Sequence, residues 1–202
     1  MIINIIYVII PKTEGVYVKN IIIKSLLIGS LLSVNALGYE ASQVTVKFLG
    51  YKSKAKTGVE GHFDKVKLQI QKNDDFKTFL TSAKVIIDSS SVNTKIKFRD
   101  KNINATLFKP DSLKEIIAVI KKVNGDMKKG ALDVEIIMNK VSKTISMPYT
   151  NSNNTFMAKG TIDVLDFAMN NSYAAFAAKC KPFHAGKSWS DVTISFELPY
   201  TK

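Results

Sequence analysis

The sequence predicts an all-β protein built as an antiparallel β-barrel, and three observations lead there. Apolar and polar residues alternate one by one through five separate segments. Turn signals rich in Asn, Gly and Asp divide those segments. A single cysteine leaves no internal disulfide, so a hydrophobic core must hold the fold. Single-residue alternation gives strands with one buried and one solvated face, as in antiparallel sheets. Several such strands argue a sandwich or barrel, and closure removes the unpaired edges.

The first 36 residues stand apart from this pattern. Lys19 precedes an apolar run over 21–32 that ends in small residues, with Val34 and Ala36 at the −3 and −1 positions of a cleavage site. Lys24 interrupts the run, which is short of the roughly 20 apolar residues of a membrane span. Residues 1–36 therefore read as a signal peptide, with an uncleaved anchor as the other reading. Residues 1–17 fit no signal plan, and the expected translation start lies near Val18. One domain, 37–202, follows.

In order, the strands are announced as follows. Val44, Val46 and Phe48 alternate with Thr45 and Lys47, then Val66, Leu68 and Ile70 with lysines and Gln69. Leu132, Val134, Ile136 and Met138 alternate with Asp133 and Glu135; Val141, Ile145 and Met147 share a face. Val192, Ile194, Phe196 and Leu198 alternate with Thr193, Ser195 and Glu197. Turns are expected at 73–75, 124–126, 129–130 and 151–154. Two short helices are expected at 75–80 and at 171–179, the latter stopped by Pro182. The apolar stretch 113–122 fits strand or helix.

Charge narrows the partners. The chain carries +12, of which residues 1–36 hold +2 (three lysines against Glu14), leaving +10 on the domain. Nucleic acid is the usual partner of such a charge. Here the lysines are spread singly along strands, and an exported protein rarely meets DNA. Contact with anionic membrane surfaces or acidic partners fits better, and simple solubility also suffices.

Few residues suggest chemistry. Arg99 is the one arginine among 29 basic residues, which hints at a place needing a planar guanidinium. It suits a ligand head group or, more simply, a clamp with Asp100 at a crossover. Cys180 and His184 have helical spacing, but Pro182 lies between them, and two ligands fall short of a structural zinc set. No third group marks them as a nucleophile pair, and no carboxylate pair is marked for acid–base work. No metal, cofactor or enzymatic activity is expected. A stripe remains: Phe48, Phe63, Phe98, Phe108, Met138, Met147, Phe156, Phe167, Trp189 and Phe196, with Ile136 and Ile194 on the same inward faces. These residues suit a dry core and an apolar tunnel equally well.

Four ordered blocks carry a resemblance. They are 44–48 with Thr57–Gly58–Val59–Glu60–Gly61–His62–Phe63; 83–94 with Arg99–Asp100 and Leu107–Phe108; 130–132 with 139–145; and 163–167 with 189–198. Together they resemble the YceI-like family of bacterial lipid-binding proteins across most of 42–200. The resemblance implies a lipocalin-like eight-stranded barrel with a long apolar tunnel. It also implies a bound polyisoprenoid, isoprenoid quinone or fatty-acid derivative, no catalytic residues, and members that often pair as homodimers. On this ground the stripe and Arg99 become the expected tunnel lining, and the signal segment places the protein in the periplasm. The alternative is a packed barrel acting as an interaction or stress-response protein. There are departures: His62 replaces a small residue and implies altered lining, Asn139–Lys140 replaces a turn glycine, and 173–187 looks inserted at one barrel end. Burying a C16 chain at about 0.8 kcal/mol per methylene gives ~12 kcal/mol gross, against association costs of roughly 4–15 kcal/mol.

Overall fold

A computed structural model describes residues 38–108 and 113–202. The signal segment and the expected start at Val18 lie outside the described residues. The strands are β1 (Thr45–Lys52), β2 (Thr57–Phe63), β3 (Val66–Gln69), β4 (Lys84–Asp88), β5 (Val92–Asn93), β6 (Glu115–Gly125), β7 (Lys129–Met138), β8 (Val141–Ser152), β9 (Thr155–Asp163) and β10 (Asp191–Pro199). Among the described residues three α-helices accompany them: α1 (Phe76–Thr81), α2 (Lys97–Ile103) and α3 (Asn170–Cys180). Every pairing is antiparallel, in the order β3-β4-β6-β7-β8-β9-β10-β1-β2-β5.

The two ends of that order are one bent hairpin. β2 runs into β3 through Asp64 and Lys65, and β4 runs into β5 through the tight turn Ser89–Ser91. Phe63 pairs with Val92 and Val66 with Ile87, so the same two runs of chain meet on both sides of the bend. The Asp64 amide donates to the Ser91 carbonyl and the Asp88 amide to the Lys65 carbonyl, each at 3.0 Å, and these bonds carry the ladder through the corner. Asp88 holds the turn by accepting from the Ser90 amide and hydroxyl at 2.9 and 2.6 Å. The Ser90 hydroxyl also keeps the Asp88 carboxyl below its ordinary pKa. Ten strand segments thus form eight runs that close into a barrel.

The local chemistry explains the rest. Asn139–Lys140 and Asn153–Asn154 each have positive φ at both positions, as two-residue hairpin turns twisting with their strands require. The replaced turn glycine is therefore accommodated by Asn139. In β6 the register shifts between Ile120 and Lys122, so Lys121 is the extra residue of a bulge. Ala118 before it and Val123 after it both turn inward and are buried, although odd–even alternation would separate them. This bulge is why 113–122 had no clear period; the stretch is strand. The expected turn at 129–130 instead opens β7. α1 starts one residue later than expected because Asp75 is its cap, accepting from the Thr78 amide at 2.8 Å. α2 was not foreseen.

One end of the barrel is shut. α1 sends Phe79 and Leu80 into it, where Phe79 meets Tyr39 and Tyr200 at ring separations of 5.7 and 6.5 Å. Phe156 packs against Tyr200 at 5.0 Å, tilted by 31°, and Tyr149 meets Phe156 edge-on at 6.0 Å, completing an aromatic floor. α2 and α3 lie at the opposite end.

Candidate functional site

Between floor and helices two apolar voids, of about 150 and 50 Å³, lie among the inward side chains of the described residues. β4, β6, β7, β9 and β10 each contribute to both, in sequence along their length. β10 gives Val192, Ile194 and Phe196 to the larger void and Phe196 and Leu198 to the smaller. β7 gives Ile136 and Met138 to the first and Leu132 and Val134 to the second. The voids therefore follow one another along the barrel axis, with Phe196 and Ala118 in the wall of both. An apolar cavity of around 150 Å³ stays dry and admits a benzene-sized body.

The larger void has a helical mouth. Arg99, Ile103 and Leu107 face it at steps of four from α2 and the wider turn that follows. Tyr173, Phe176, Cys180 and His184 face it at helical spacing from α3 and its C-terminal turn. Both faces obey the 3.6-residue period that a search for aromatics on strands passes over. The segment that looked inserted is thus one wall of the mouth. Trp189 completes it, donating from its indole to the Ser53 carbonyl at 2.8 Å, with Lys56 and Lys187 each 4.8 Å from its ring.

Of the thirteen residues expected to line a tunnel, nine line the larger void: Phe48, Phe63, Arg99, Phe108, Ile136, Met138, Trp189, Ile194 and Phe196. Phe156 lines the smaller one. Met147 and Phe167 line neither; both are sealed in the packed core. Phe98 is exposed and lies 5.5 Å edge-on from Phe183. It sits one helical position before Arg99, which turns it outward. His62 lines nothing either: β2 turns Val59 and Phe63 inward and His62 outward, 3.0 Å from the Asp64 carboxylate. Gly61 keeps the wall open. Phe48 pairs across from it, and the Phe48 ring occupies the space a side chain would need.

The polar groups at the mouth divide their work. Asp100 ties the crossover by accepting from the Thr94 amide and hydroxyl at 2.8 and 2.6 Å. Arg99 does not share that clamp; its side of α2 faces the void, and it has no ion pair among the described residues. Burial pushes the Cys180 thiol above its ordinary pKa, against the pull of Lys179 and Arg99. Burial holds His184 below its ordinary value, helped by Lys52 and Arg99, so the ring is neutral near pH 7. Its Nδ1 lies 2.7 Å from the Ser188 hydroxyl. Among the described residues no three His, Cys, Asp or Glu side chains come together as metal ligands.

Comparison with solved structures shows the same fold. A polyisoprenoid binding domain from Saccharophagus degradans, implicated in plant cell wall breakdown, is 16% identical with a TM-score of 0.58, covering 81% of this chain and 96% of its own. Burkholderia cenocepacia BcnA is 17% identical with a TM-score of 0.61, covering 79% and 96%. A Campylobacter jejuni YCEI protein is 20% identical with a TM-score of 0.54, covering 72% and 86%. None of the curated protein sequences matches the chain. The YceI-like domain model matches residues 38–200, most of the chain. With the closed eight-run barrel around an apolar interior, this match establishes that the chain belongs to the YceI-like family.

Proposed function

We propose that this protein is a non-catalytic carrier that holds the apolar tail of a long lipid inside its barrel, in the periplasm after export. A polyisoprenoid, an isoprenoid quinone or a fatty-acid derivative fits the lining. The observation that carries the reading is the axial void, walled almost wholly by apolar side chains and opening between α2 and α3. A barrel acting only through its outer surface needs no such void, because interiors otherwise close to crystal-like density. Likeness to a polyisoprenoid binding domain supports the same ligand class. The void as it stands takes only part of a long tail. Continuation past Phe196 or out through the mouth accommodates the remainder. Affinity then comes from buried length, since each methylene contributes about 0.8 kcal/mol.

Purification of residues 37–202 without detergent, followed by native mass spectrometry, is expected to show a lipid adduct that organic extraction removes. Preparations that are repeatedly free of lipid and take up neither isoprenoid nor fatty acyl probes overturn the reading. A second experiment tests the wall. In Gly61→Val the new side chain displaces the Phe48 ring, whose Cε1 lies 2.8 Å from where the first added carbon stands. A ring pushed into the void excludes about two methylenes and lowers tail affinity roughly tenfold. The double variant with Phe48→Ala is expected to restore it; unchanged uptake in the single variant counts against this wall as the lining.

A further inference from the structure

Charge on this barrel is polarised along its axis. The connections at the open end, 53–56, 94–108, 113–114, 139–140 and 164–190, hold ten lysines and Arg99 against only Asp100 and Asp166, a net charge of +9. The connections at the floor end, 38–44, 70–83, 126–128, 153–154 and 200–202, hold four lysines and four acids, a net charge of zero. One of the two open-end acids is already engaged, because Asp100 accepts from Thr94, and among the ten lysines Lys56 is paired at 2.7 Å with Asp191, the first residue of β10. The domain's positive charge is therefore no uniform coat. It is concentrated around the mouth.

Exposed apolar side chains lie in the same place. Ile96, Phe98 and Phe183 are 48, 56 and 57% exposed, the three highest values among the large exposed hydrophobics of the described residues. Phe98 lies in the first turn of α2 and Phe183 follows α3, yet their rings meet at 5.5 Å and 74°, joining the two walls of the mouth on their outer side. Lys95, Lys97, Lys101, Lys179, Lys181 and Lys187 belong to the same two segments and are all exposed. Solvated aromatics within a ring of lysines gain nothing from water and repel a basic partner. An anionic lipid surface meets both features at once, since aromatic rings settle at head-group depth and each nearby lysine adds attraction.

We infer that the Ile96–Phe98–Phe183 rim docks this protein on an anionic phospholipid bilayer, with its mouth turned toward the membrane. The inference deepens the carrier reading and rests on it for its purpose: a docked mouth passes a tail between bilayer and barrel without exposing it to water. The polarised charge turns the molecule mouth-first before contact, and the aromatic pair then holds it there.

The test is sedimentation of residues 37–202 with phosphatidylglycerol-rich vesicles and with pure phosphatidylcholine vesicles. Binding to the anionic vesicles is expected to be at least about tenfold stronger and to fall with added salt. Phe98→Ser/Phe183→Ser is expected to lose most of it while keeping its melting temperature, because both rings are solvent-exposed. Lys97→Glu/Lys181→Glu is expected to erase the preference for anionic vesicles. Equal binding to both vesicle types, or full binding by the aromatic double variant, overturns the inference. So does a dimer in solution that the aromatic double variant dissolves, since it assigns the rim to a second copy. Native mass spectrometry of the same samples separates the two readings. Lipid-loaded protein that ignores vesicles sinks the docking alone, whereas vesicle binding by protein that never takes up lipid sinks the carrier alone.

Discussion

Phe196→Ala is expected to lengthen the tail that the barrel holds. Phe196 and Ala118 are the side chains common to the walls of both voids, and alanine at 196 removes the bulk that separates them. Each further methylene that enters adds about 0.8 kcal/mol, close to fourfold in affinity. Three more methylenes therefore favour a longer tail by roughly 60-fold over the wild-type profile. A series of fatty acyl or isoprenoid probes of increasing length, competed against one another, measures the shift. Phe196→Leu is expected to move it less. Some stability is lost as well, below the ~3–5 kcal/mol of a fully buried Phe→Ala change, because this ring is only half-buried and already borders empty space. An unchanged length profile shows that Phe196 is no barrier to the tail.

Tyr149→Ala is expected to be the most damaging single change at the floor. Tyr149 is 3% exposed, and its hydroxyl donates to the Asp126 carbonyl at 2.5 Å. Its ring fills the space left by two glycines that pair across the β6–β7 hairpin, Gly125 at φ +136° and Gly130. A side chain at Gly130 would run into the Asn124 carbonyl across the hairpin and stand 2.8 Å from Tyr149 Cε1, so backbone and ring together require the glycine. Removing the ring leaves a cavity beside Phe156 and takes away the partner of the Asp126 carbonyl, at a cost of about 3–5 kcal/mol, most of it from the cavity. That is a large share of the 5–15 kcal/mol that typically holds a domain. Urea unfolding followed by the fluorescence of Trp189, the only tryptophan, reads the loss. Tyr149→Phe, which keeps the ring, is expected to cost only ~1 kcal/mol. A loss below 1 kcal/mol for the alanine variant would show that something else secures the floor.

Much of the architecture was legible because period two is a local property. β7 and β10 could be read residue by residue, and the positive φ of Asn139 follows from what its side chain tolerates. The bulge at Lys121 hid β6, since one extra residue reverses the alternation that reveals a strand. α2 escaped for a different reason. Ile96 before it supplies no capping side chain, so the start signal was missing, although Arg99, Ile103 and Leu107 carried the period. At the site, alternation tells which way a side chain points and not whether anything fills the space it points into. Ile194 and Met147 both point inward, yet one borders a void and the other is packed on every side. That difference depends on neighbours far away in the chain. Phe98, expected in the lining beside Arg99, points outward because a helix turns adjacent residues to different faces.

The axial void has a mechanical consequence. Space that folded atoms enclose but do not occupy disappears when the chain unfolds, so hydrostatic pressure drives an empty barrel toward its unfolded state. A tail that fills the void removes part of that volume change. Empty and loaded protein would then separate more widely in a compression chamber than in urea. The compressibility of this small barrel becomes a gauge of its cargo.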